Sequence, residues 1–361
     1  MSRKSLGEVC VVLLTICLCS CGYKVPSNYT AKQSVIDDLA FAEIVDAQND
    51  GFAYAYAPSI ILDNGTYHVF FCSKGWLKYP SWDAIRYTTS SDGQNWSRPE
   101  VVLQATAKNG MDMAACDPSV VFYQGFYYLY YSSAITTAPH VYQTVIQVAR
   151  ASKIQGPYRT YTRRGTWENT PEDPKVIIYP LQNHGSQPSG YGAGQQSVVV
   201  KNGRLLMWYT DDSLFVNGQP EVRTYMLESG DPTKWTADIQ RSTNLVGQAS
   251  IDVKFDGERS QFTMVRIENE FSTTSYLGRA YSSDGVTWTL PENMYPTSQF
   301  PMYSHDAGIE GDKAGNLAGS GALIGFGAPY GLAHVNDWAK WNLYTVRVTK
   351  ASDPGFGAGN P

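Results

Sequence analysis

One phrase recurs along this chain, and it limits the available folds more than any other feature. After Asp117-Pro118-Ser119, the β-branched and aromatic run Val120 to Tyr123 meets the turn Gln124-Gly125 and is answered by Phe126 to Ser132. Two such runs about a Gly-containing two-residue turn read as a β-hairpin. Proline is tolerated at its mouth because the first residue of a strand need not donate to the ladder. The phrase returns as Ala57-Pro58-Ser59 with the turn Asn64-Gly65, and as Gln195-Gln196-Ser197 with the turn Asn202-Gly203. Weaker copies are anchored at Ser250, running to Gly257, and at Gly308, running to Gly315. Repeats of about 40–50 residues or more, each a small antiparallel sheet, call for a β-propeller, here all-β with five blades.

A second marker keeps phase with the first. Ser91-Asp92-Gly93-Gln94-Asn95-Trp96 closes the first copy, and Ser283-Asp284-Gly285-Val286-Thr287-Trp288 closes the fourth. This Ser-Asp-Gly-x-x-Trp turn reads as structural, with the tryptophan packing back on its blade. A Pro- and Gly-rich excursion, 163–194, separates copies two and three; long ordered loops on a rigid scaffold often shape a binding site.

At 361 residues the chain exceeds the size at which one core usually divides, a limit a propeller escapes by adding a sheet-to-sheet core with each blade. The 25 tyrosines and 9 tryptophans suit blade packing and equally a cleft in which sugars stack. A formal charge of −5 gives no basic surface, so nucleic acid is not an expected partner. Residues 1–20 read as a targeting segment, with Arg3 and Lys4 before a short apolar stretch from Val11 to Leu18. That stretch is too short to span a bilayer, which takes ~20 residues. Leu18-Cys19-Ser20-Cys21 resembles a bacterial lipobox, which implies lipid attachment at Cys21 and a protein held on an envelope membrane; an ordinary secretory signal is the alternative. Residues 21–50 are expected to be a tether and a short helical or extended cap, 51–350 the propeller, and 351–361 a flexible tail. Cys72 and Cys116 remain in the folded part. An exported chain favours a disulfide between them, and two buried free thiols are the other reading.

With these motifs in hand, the chain resembles the five-bladed propeller glycoside hydrolases. The nearest pattern is the family 43 arabinanase and xylosidase group, with relatives in families 32 and 117. The resemblance covers about residues 50–350. It implies carboxyl groups at the mouths of successive inner strands, one donating a proton and one acting as base. Asp117 matches the family's second-blade aspartate. The first blade offers Ala57 where the family has its base, and the third offers Gln195 and Gln196 where it has its acid; neither type transfers protons at neutral pH. Asp252, His305 and Asp306 are therefore the further catalytic candidates. The likeness to family 117 implies a histidine acid, and an imidazole is chemically fit for that role. Two readings stay open for His305 (the acid, or a residue near the channel holding a structural ion or water) and two for Asp252 (catalytic, or a buried structural group). Tyr56, Trp76, Gln195, Gln196, Asp211, Gln248 and Glu268 are expected to contact a carbohydrate, with Trp82, Asp212 and Glu270 behind them; if His305 is structural, the acid is to be sought among Glu268, Glu270 and Glu310. No cofactor and no metal-binding motif is legible. The function expected is hydrolysis of a poly- or oligosaccharide with inversion; the alternative is a non-catalytic glycan-binding lipoprotein.

Overall fold

The computed structural model describes residues 28–349 except for 31, 37–38, 76–82, 107–109, 139–140, 182–190, 236–240, 247–249, 296–299, 318–320 and 333–339. Cys21, Trp76, Trp82, Gln248, the targeting segment and the C-terminal tail lie outside the described residues. The rest forms five antiparallel sheets in sequence order around one axis, the five-bladed β-propeller expected. Among the described residues there is no α-helix, and Tyr330–Leu332 forms a 3-10 turn. The inner strands are Ala55–Asp63, Cys116–Tyr123, Ala193–Lys201, Asp252–Asp256 and His305–Ile309. The turns Asn64-Gly65, Gln124-Gly125 and Asn202-Gly203 hold positive φ at both residues. That is the type I′ geometry whose twist matches a two-residue hairpin.

Three sets of contacts make the ring. The first is apolar: Val121, Tyr130, Ile146 and Val148 of blade two pack on Val198, Met207 and Tyr209 of blade three in one buried cluster. The second is polar and repeats from blade to blade. Ser59 Oγ accepts the amide of Val120, Ser119 Oγ that of Val198, and Ser197 Oγ that of Val253. Asp252 Oδ2 accepts that of Ile309 at 2.8 Å. The fourth anchor is thus Asp252 and not Ser250. The weak copy in blade four has no Pro-Ser to fix its phase, and a shift of two residues keeps every side chain on the same face. The third set closes the bottom of the axis. The carbonyls of Gly311, Lys313, Ala314 and Gly315 accept the amides of Leu62, Phe122, Val200 and Phe255 in turn. One loop of blade five therefore bonds to the inner strand of every other blade, and the axial channel is blind.

The N-terminal boundary differs from expectation. Leu39–Val45 is no cap ahead of the propeller but a strand of blade five, paired antiparallel with the C-terminal strand Trp341–Thr349 through Leu343↔Val45 and Tyr344↔Glu43. Phe41 and Ile44 on it are buried. Pairing the two ends of the chain removes an open sheet edge, which local sequence patterning cannot reveal. Cys72 and Cys116 are joined in a disulfide with Cα atoms 5.0 Å apart, linking blades one and two.

Candidate active site

At the top of the axis each blade places one residue in the left-handed region: Ala57 (φ 51°), Asp117 (46°), Gln195 (51°), Ser250 (59°) and Asp306 (47°). In four of the five blades the strand register slips beside this residue. A bulge with a left-handed residue bends the strand and re-aims its side chain, here toward the axis. None of these residues is glycine, so each carries a conformational cost of about 1–2 kcal/mol. Strain repeated at one height around a ring marks this height as the site. The five residues line a cavity of about 30 Å³. That is room for a water molecule or two and far below the ~300 Å³ of a pocket that encloses a small-molecule ligand.

Asp117, His305 and Asp306 are all buried around this cavity. Asp117 Oδ2 accepts the hydroxyl of Tyr191 at 2.7 Å, and its amide points at Cys72 Sγ. Gln196 Nε2 donates to the Asp117 carbonyl. Burial, and after it the charge of Asp306, push the Asp117 carboxyl up to about 7. His305 stands between two carboxylates, with Nε2 3.0 Å from Asp306 Oδ2 and Nδ1 3.0 Å from Glu270 Oε1. Burial opposes its charge, but Asp306 and Glu270 outweigh it and hold its pKa well above the usual histidine value. Burial raises the Glu270 carboxyl, and His305 draws it back down. Glu270, His305 and Asp306 each present one ligand atom, all within 4.8 Å of one another, which is cation-site spacing. A ligating imidazole keeps one nitrogen unprotonated for the metal. A carboxylate faces each nitrogen, an arrangement that suits an imidazolium and equally a cation held through one nitrogen while the other donates to a carboxylate.

Other expected site residues are tied into structural bonds, and of these Asp252 also lines the cavity. Asp252 bonds Ser197 Oγ and the amide of Ile309 and is ion-paired with Lys254, so its carboxylate holds blades three, four and five together. Asp211 accepts the amides of Leu181 and Ser213, and Asp212 those of Tyr191 and Gly192; both pin the long excursion and do not face the cavity. Glu268 is buried against Arg266, and Glu310 accepts the amide of Leu323. Tyr56 lies in the wall, its ring 5.9 Å from that of His305 and its hydroxyl 3.2 Å from Cys116 Sγ. Gln195 does face the axis, and its Oε1 is buried with no partner among the described residues. Sequence reasoning passed over Tyr191, Phe271 and Trp341. Phe271 lies 4.3 Å from the ring of His305, and Trp341 lies 5.3 Å from it. The Gly-Tyr-Gly setting of Tyr191 was the only local signal; the other two are neighbours of His305 solely through the fold.

A blind five-bladed propeller with paired carboxyl groups at its mouth defines the class, the fold of the glycoside hydrolase families 117, 43 and 62. No family model and no curated relative matches the chain. Solved structures do. The family 117 glycoside hydrolase Zg3597 of the marine bacterium Zobellia galactanivorans matches at TM-score 0.55 and 17% identity, over 92% of this chain and 95% of that one. A thermostable family 43 glycoside hydrolase matches at 0.58 and 13% identity, over 85% and 95%. An N-acetylgalactosamine deacetylase from F. plautii, in complex with blood group B trisaccharide, matches at 0.56 and 13% identity, over 91% and 97%. At these identities the likeness shows the fold, and the last match illustrates that one fold carries more than one reaction.

Proposed function

We propose that the protein hydrolyses a glycosidic bond in a poly- or oligosaccharide, with inversion. The observation that carries this is the pairing of Asp117 and Asp306 at one water-sized cavity. They stand on either side of Ala57, whose methyl group leaves the space between them clear. Two like charges so placed do not both ionise readily at neutral pH, and divergent environments sort such a pair into acid and base. Asp306, beside the His305 imidazolium, takes the role of base and activates water; Gln195 Oε1 is a second acceptor for that water. Asp117, with a pKa of about 7, carries the proton for the leaving oxygen, and Tyr191 orients it. His305 then acts by holding charge and position, in place of the acid role that the family 117 likeness implies.

The test is incubation with a panel of plant and algal oligosaccharides, xylotriose and cellotriose included, with release of reducing ends and NMR of the first anomer formed. Inverted product with an activity lost as pH rises through about 7 supports the assignment, because that limb reports deprotonation of Asp117. Asp117→Asn and Asp306→Asn should each lose ~10²–10⁴-fold in rate. A limb well above pH 7 that survives in Asp117→Asn would return the acid role to His305. A second reading, a glycan-binding propeller without catalysis, is favoured by Ala57 and Gln195 at the positions where the family 43 resemblance expects carboxyl groups. Binding with no bond cleaved would establish it.

We also propose a lipid anchor at Cys21 that holds the propeller on a cell-envelope membrane. It rests on the sequence of residues 1–21 alone, and a Cys21→Ala protein that still pellets with washed membranes would refute it.

A further inference from the structure

Phe271 combines three properties seldom found together. It is 44% exposed although large and apolar. It lies in the left-handed region at φ 58°, a true outlier for a bulky side chain. Its ring stacks on that of Trp341 at 5.5 Å and 19°, and lies 4.3 Å from the ring of His305. The strained backbone is held by its surroundings: the Phe271 amide reaches the Ser304 carbonyl, Tyr303 donates to the Ser272 carbonyl, and Ser272 and Ser275 hydroxyls both donate to the Asn269 carbonyl. A loop that spends bonds to keep an aromatic ring exposed in a costly conformation beside the site is the pattern expected of function, not of packing. A second partly exposed ring, that of Tyr191 (41%), reaches Asp117 through its hydroxyl.

Charge narrows what would lie between them. Among the described residues the cavity is lined by the carboxyl groups of Asp117, Asp252 and Asp306 and by no Lys or Arg; Lys254 pairs with Asp252, and His305 and Glu270 lie beside Asp306. Sugars bearing carboxylate or sulfate would meet a surplus of like charge there.

Resting on the carbohydrate reading above, we propose that Phe271 is a preformed stacking platform for an uncharged sugar unit, set over His305 beside the axial cavity. The apolar face of the sugar lies on the ring, and the bond to be cleaved faces Asp117 and Asp306. Because the platform is built before the sugar arrives, little ordering cost is left to binding.

Phe271→Gly separates this role from a structural one. Glycine takes φ 58° without strain, so the variant should melt no lower than the wild type while losing the platform. A glycan array of neutral, uronate-bearing and sulfated oligosaccharides, probed with labelled wild type, Phe271→Gly and Phe271→Trp, reads the binding directly. The expected result is binding confined to neutral members, a loss of at least tenfold in Phe271→Gly and retention in Phe271→Trp. Preference for anionic members, unchanged binding by Phe271→Gly, or a lower melting temperature for that variant each overturns the proposal. The two readings fail separately. Equal KM for cleavage by wild type and Phe271→Gly removes the platform and keeps the hydrolase. Neutral glycans held through Phe271 with no bond broken keep the platform and remove the hydrolase. A wild type that binds no glycan removes both.

Discussion

Gly308 and Asp252 occupy equivalent places on neighbouring blades and solve the same problem in opposite ways. At four junctions a side chain on the anchor residue bonds the next blade; at the fifth, a Cβ on Gly308 would stand 1.9 Å from the Pro58 carbonyl oxygen. Backbone cannot step aside as a flexible side chain can. Gly308→Ala should therefore cost about 3 kcal/mol, the upper part of the usual overpacking range, and be read as a large fall in melting temperature. Gly65→Ala is the control: φ is +77° but nothing lies within 4 Å, so only the left-handed penalty of about 1–2 kcal/mol applies. Asp252→Ala should cost ~3–5 kcal/mol, because it leaves the buried Lys254 ammonium without its partner. Loss of fold together with activity in that variant, and loss of activity alone in Asp306→Asn, would separate the clamp from the site. Both aspartates were legible as inner-strand carboxyl groups. Their roles were not, since only the positions of Ser197 and Ile309 on the flanking blades, with Lys254 on the same strand, decide that one is consumed.

The inner hairpins follow from local rules. In blades one to three alternating apolar runs and Asn-Gly or Gln-Gly turns specify them whatever their neighbours do, and their observed bounds match the repeat read from the sequence. In blade four the anchor lies two residues later, and in blade five the strands are joined by residues 310–320 in place of a tight turn. The strand Leu39–Val45 obeys no such rule. Its seven residues are compatible with a helix or an extended segment, and it becomes a strand because the edge of Trp341–Thr349 is there to pair with it. A chain begun at residue 50 lacks that partner along with Phe41, Ile44 and the buried Glu43, which accepts the hydroxyl of Tyr344. We expect it to aggregate or fail to melt cooperatively, as measured by size exclusion and a thermal scan. A cooperative melt near that of the full chain would show that the strand is dispensable.

Across the whole molecule, pH should act on stability against the usual direction for carboxyl groups. Burial raises Asp117 to about 7 and Asp83 and Asp112 to about 6. With folded values above the unfolded value of about 4, their contributions are complete below that value and are lost as pH rises through 6 to 7. The raised value of His305 has the same sign, its contribution being lost as pH rises through the folded pKa. Asp92 and Asp284 run the other way. Turn amides, that of Asn95 first for Asp92 and that of Thr287 first for Asp284, hold them below the ordinary carboxylate range, so their contribution is lost as pH falls below about 4. The melting temperature should therefore peak between about pH 4 and 6 and be lower at pH 8.5 than at pH 5. Asp117→Asn should flatten the alkaline fall while removing activity. An unchanged slope in that variant would detach the effect from Asp117.

What the sequence determined by itself is the number of blades and the place of the first three inner hairpins, because strand period, turn chemistry and repeat phase are local and are written several times over. The tertiary structure alone decided the closure of the ring, the plug of the axis by residues 311–315, the meeting of Asp117 with Tyr191 and the packing of Phe271 over His305. Each of these joins residues far apart in the chain, at a single position, through a contact that no repeat announces. It also turned Ala57 from a missing carboxylate into the gap between two others, a meaning it has only when blades two and five stand on either side of it.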